Sequence, residues 1–269
     1  MINNVSSISN LSTKPMTPVQ QVTLEGKLYY VYNVSLGLDN YSQRKSPYVY
    51  TKNKFRTNWA SLCNVHMMGM GLIYSGIYNR FKLEIDAKYP ELPRLPDKLA
   101  KYIIESSESK DYYKKRFPAL YSQFDLGLKD AYGPNEIHNV LSWMTNRFID
   151  AGVVTYFSTN TSWKDIIYDL IYNRTPVGVS GKFSGLNHIV LAVGVAYSSL
   201  QGGMVPGDNQ APDYFIIDDP FGKTYEYSKG LSGNDVWIPF DKCVSDFKSL
   251  DNANFKFSHR FIRASYLGV

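Results

Sequence analysis

The spacing of apolar and polar positions divides the chain into an opening arm, a helical stretch and a closing run of strands. Residues 1–22 are rich in Ser, Asn and Thr, carry two prolines and have no apolar period. Such a segment buries too little apolar surface to offset the entropy of ordering, so it reads as a flexible arm or a docking peptide. Leu24 to Val34 has the aromatic and β-branched content of a strand. A polar loop through Gln43, Pro47 and Asn53 follows. Leu62 to Tyr74 is then apolar nearly all round, with Ser61 placed to cap its start and Gly76 to end it. A helix without a polar face is buried on every side, which makes this one central.

From Leu83 to Arg174 the pattern turns helical and richer in polar residues. One piece starts at Pro96-Asp97. Another follows Gly133-Pro134, with Ile137, Val140, Leu141, Met144 and Phe148 at helical spacing. A third follows Thr161-Ser162, with Trp163, Ile166, Ile167, Leu170 and Ile171 on one face. The period then shortens to that of strands: Pro176 to Ser180, Asn187 to Tyr197, Asp213 to Asp218, Thr224 to Tyr227, and a last one through Phe255, Phe257, His259 and Phe261. Helices followed by an antiparallel sheet define an α+β fold, with one domain over 23–269 and a helical insertion at about 83–160. No internal repeat is visible.

Composition narrows the possible functions. The chain has 269 residues, 44% of them hydrophobic, enough for a full core without covalent staples. The net charge of +5 is spread along the chain with no basic block or basic helix, which argues against nucleic acid as a partner. No apolar run is long enough for a membrane span, and the first residues lack the charged and apolar regions of a signal peptide. The expectation is a protein cytoplasmic on synthesis. Ligand spacings for zinc, EF-hand, P-loop and dinucleotide motifs are absent, so no cofactor or metal is expected.

Two cysteines form no disulfide framework, and one sits in a telling place. Cys63 stands where the polar loop becomes the central helix, and unpaired N–H groups at a helix start favour thiolate over thiol. A free cysteine is also a common buried hydrophobe, so position alone does not make it a nucleophile. A thiolate mechanism needs a base active near neutral pH, the chemistry of imidazole. His188 opens an apolar strand, 125 residues after Cys63, and Asp219 follows 31 residues later at the end of the next strand. If the two strands are antiparallel neighbours, the start of one lies beside the end of the other, which brings a carboxylate to the imidazole. Asp219-Pro220 is equally a good turn, and Asp218 is a rival carboxylate facing the opposite side. His66, one turn along the helix, has no evident orienting carboxylate and reads as packing or a pocket wall. His138, His259 and Cys243 read as structural.

Five short motifs carry a resemblance: Tyr41-Ser42-Gln43-Arg44, Cys63-Asn64-Val65, Thr175-Pro176-Val177, Asn187-His188-Ile189-Val190 and Asp218-Asp219-Pro220-Phe221-Gly222. In this order, from about Leu38 to Gly222, the chain resembles the C39-like branch of papain-fold cysteine peptidases. The resemblance implies Cys63 as nucleophile, His188 as general base, Asp219 as orienting carboxylate, and Gln43 with the Cys63 N–H as oxyanion hole. Two features depart from the family: the run Lys45 to Arg56 is long, and His66 stands where a small polar residue is expected.

The implied activity is hydrolysis of peptide bonds, with bacterial peptidoglycan stem peptides or cross-bridges as substrate. A wall hydrolase without a signal peptide needs phage-type release or carriage in a virion, where the arm would dock on a partner. Three alternatives stand beside this one: an inactive papain-like virion component, a leader- or propeptide-processing peptidase, and an acyl transferase of the transglutaminase type.

Overall fold

A computed structural model describes residues 18, 20–35, 63–75, 85–95, 97–98, 111, 153–158, 161–183, 186–201, 205–207, 209–220, 233–248 and 258–263. In chain order the elements are β1 (Gln20–Leu24), β2 (Lys27–Asn33), α1 (Cys63–Tyr74), β3 (Val153–Ser158), α2 (Trp163–Tyr168), β4 (Val177–Phe183), β5 (Leu186–Tyr197), β6 (Tyr214–Asp218), β7 (Val236–Pro239), α3 (Phe240–Lys248) and β8 (Ser258–Arg263). Among the described residues every strand pair is antiparallel, and together with the helices they form an α+β fold.

β5 is the axis of the sheet. It is apolar on both faces, as a strand covered from two sides must be. β6 lies along one edge, while β4 and then β2 share the other, because Ala192 pairs with Val177 and Ile217, and Ala196 pairs with Val31 and Tyr214. The register between β5 and β6 slips between Ala192 and Gly194. That extra residue flips the alternation. Val190 and Ala192 before it, and Val195 and Tyr197 after it, therefore all enter one core cluster with Ile166, Ile167, Leu170 and Ile171. At the slip the backbones close in, and a Cβ on Gly194 would lie 2.3 Å from the Tyr32 carbonyl oxygen. Only glycine fits there.

α1 packs on β5 and β4. Met67, Met68, Met70 and Leu72 are buried, which agrees with its all-apolar reading. α2 starts at a reciprocal cap in which Ser162 Oγ accepts the Asp165 N–H and Asp165 Oδ2 accepts the Ser162 N–H. It continues as a π-helical turn, Asp169–Asn173, that ends at Arg174 in a left-handed conformation.

Several elements differ from the sequence expectation. The arm does not extend through 22, because Gln20 to Leu24 pairs with β2 as a hairpin. The expected single strand from Leu24 to Val34 breaks at Glu25-Gly26, both with positive φ (49° and 79°), as a tight two-residue hairpin turn requires. Val153 to Ser158, assigned above to the helical insertion, is a strand paired with β8. β7 and α3 are additions. The helix after Gly133-Pro134, with His138, and the strand Thr224 to Tyr227 lie outside the described residues.

Candidate active site

α1 begins at Cys63, the position expected of a helix-start thiol; its side chain lies outside the described part, as do Gln43, Ser61 and Gly76. His188 is the third residue of β5 and is buried. Asp219 directly follows β6 and is buried too.

β5 and β6 pair antiparallel with Leu191 opposite Asp218, so the start of one strand lies beside the end of the other. Across that edge His188 Nε2 and Asp219 Oδ1 are 2.7 Å apart. A buried carboxylate is costly unless hydrogen-bonded, and this imidazole is a bonded partner. In an imidazole bonded through Nε2, Nδ1 is the second nitrogen able to give or take a proton.

Asp218 and Asp219 have different partners because successive residues of a strand face opposite sides. Asp218 Oδ2 accepts the Tyr74 hydroxyl of α1 at 2.6 Å, and its Oδ1 accepts the Asp235 N–H at 2.8 Å. Burial pushes the Asp218 carboxyl up to about 7, against the opposing pull of these two hydrogen bonds. The Asp219 N–H donates to the Gly233 carbonyl at 2.7 Å, so the segment 233–235 holds both aspartates. Asp235 has a positive φ of 48°, and its carboxylate accepts from Asn33 Nδ2, Ser35 Oγ and Asn234 Nδ2.

The same alternation gives His188 the parity of Val190 and Ala192, which face α2, whereas Asp218 is bonded to α1.

His66 differs from expectation in one respect. It does have a carboxylate neighbour: Asp97 Oδ1 is 3.6 Å from its Nε2, both side chains are fully buried, and Arg94 Nε lies 3.3 Å from Asp97 Oδ2. The pairing joins residues 31 apart in sequence that no local pattern connects. Cys243 is buried in the core cluster, and His259 pairs within the sheet opposite Phe157 and Gly178. Tyr74 and Asp235 are the site neighbours that sequence reasoning missed, because Tyr74 reads as one more apolar position of the central helix.

No protein-family model matches the chain, and no curated protein matches it. Among the described residues no three or more His, Cys, Asp or Glu side chains group to hold a metal, and no helix is long and apolar enough to cross a membrane.

Proposed function

We propose that the protein is a papain-like cysteine peptidase of the C39-like type, acting on peptide bonds of the bacterial cell wall. The observation that carries this reading is the buried 2.7 Å contact between His188 and Asp219, where the start of β5 lies beside the end of β6. An imidazole held by a carboxylate is the orienting half of a nucleophilic triad. The other half is a thiol at a helix start, where N–H groups stabilise negative charge, and Cys63 has that backbone position.

In the proposed reaction His188 takes the Cys63 proton, and the thiolate attacks the amide carbon. The oxyanion is held by the Cys63 N–H and Gln43. The C–N bond breaks as imidazolium returns the proton to the leaving amine, giving a thioester. Water, deprotonated by His188, then releases the acid and restores the thiol. The wall substrate and a phage-type delivery route rest on the family resemblance.

Purified walls from several bacteria, digested with wild type and Cys63→Ala and analysed by mass spectrometry, test the reading. Peptide fragments with new amino and carboxyl termini from wild type alone support it. Equal release by Cys63→Ala, or none by either protein, counts against it.

A further inference from the structure

We propose that Tyr74 and Asp218 are positioning residues for the His188–Asp219 pair, their bond pinning the last turn of α1 to the end of β6 so that Asp219 is turned toward the imidazole. This inference rests on the peptidase reading for its functional consequence, though not for its geometry.

Asp218 and Asp219 are adjacent, so fixing the direction of one fixes the other. Asp218 is held from two sides, by the Tyr74 hydroxyl at 2.6 Å and the Asp235 N–H at 2.8 Å, and is fully buried. Asp235 is itself fixed by Asn33 and Ser35 at the end of β2. The clamp thus runs from β2 through 235 and 218 to the far end of α1, whose first residue is Cys63. Three turns of helix transmit it as a rigid rod.

The titratable groups facing Asp218 among the described residues are Tyr74 from α1, Asp235 from the segment before β7, Asp219 on its own strand and, through Asp219, His188 of β5. Burial raises Asp218 to about 7. Near neutrality it is therefore partly protonated, which lessens the negative charge it places beside the His188–Asp219 pair.

The test uses the full chain and two near-isosteric variants, Tyr74→Phe and Asp218→Asn. The first readout is the titration of the His188 imidazole by NMR on histidine-labelled protein, its signal assigned among the four histidines with His188→Gln. The second is kcat and KM on purified walls. The expectation for both folded variants is a shifted His188 midpoint and a kcat lower by about 100-fold with KM little changed, the size of effect a 1 Å misplacement produces. Folded variants with an unmoved His188 midpoint overturn the proposal, whatever happens to cleavage. If wild type does not cleave walls while the variants still move the His188 midpoint, the positioning role stands and the peptidase reading falls. Should Tyr74→Phe fail to fold, Asp218→Asn keeps both readouts.

Discussion

Replacing Asp218 with asparagine isolates a term that makes the protein less stable as pH rises. Asp218 is pushed from an ordinary 3.8 to about 7 by burial. Its folded value lies above its unfolded one, so between about pH 4 and pH 7 the folded protein holds a proton that the unfolded chain has released. The stability from this group is complete below about pH 4 and is lost as pH rises through about 7. About three pH units at about 1.4 kcal/mol each give a loss on the order of 4 kcal/mol, a large share of the 5–15 kcal/mol typical of a domain. Other groups titrate over the same range, so the comparison with a side chain that cannot ionise is what isolates Asp218. Asparagine keeps the size of the side chain and its oxygen accepts the Asp235 N–H, while its NH2 cannot accept the Tyr74 hydroxyl proton, so only the change of the difference with pH is compared. Urea unfolding followed by tryptophan fluorescence, at pH 4.5 and pH 8 and equal ionic strength, gives the stability of each protein. From the lower to the higher pH, wild type should lose about 3 to 4 kcal/mol relative to Asp218→Asn, a relative shift of about 1 to 2 M in urea midpoint. A difference between the two proteins that stays constant with pH would refute the reasoning.

Gly194→Ala places a Cβ 2.3 Å from the Tyr32 carbonyl oxygen, a backbone atom that cannot rotate away, and should cost about 1–3 kcal/mol in thermal or urea unfolding. Ser162→Ala removes the acceptor for the Asp165 N–H and should cost about 1 kcal/mol, with Ser162→Gly costing less. Leu170→Ala, at a fully buried position in the core cluster, should cost about 2–5 kcal/mol, read as a lower denaturant midpoint with an unchanged slope.

Much of the fold was legible because its strongest patterns are local. The all-apolar run of α1, the cap at Ser162 and the uninterrupted Ile189 to Val195 strand each declare their element without reference to anything distant. β3 was hidden for the opposite reason. Val-Val-Thr-Tyr-Phe-Ser has strand composition, but its partner β8 lies about a hundred residues further on, while its sequence neighbours read as helix. β7 is four residues ending in a proline, too short for alternation to register. The hairpin turn was harder to read, since the strong two-residue signals are Asn-Gly, Asp-Gly and Gly-Gly and Glu25-Gly26 carries only the glycine of that pattern. At the site, the contact between His188 and Asp219 follows from antiparallel pairing of consecutive strands. The bond of Tyr74 to Asp218 spans 144 residues and the His66–Asp97 contact joins a helix to a later segment, and neither leaves a local trace.

The reactivity of Cys63 tests the central claim most directly, because the claim needs a sulfur on α1 and an imidazole at the start of β5 to share a proton. Iodoacetamide labelling of Cys63 should be measured by mass spectrometry across pH 4 to 10 in wild type, His188→Ala and Asp219→Ala, with buried Cys243 as internal reference. The account predicts rapid labelling of wild-type Cys63 well below the ordinary thiol value of about 8.5, with the profile returning toward that value when His188 is removed. A wild-type profile centred near 8.5 and unchanged by His188→Ala would contradict it.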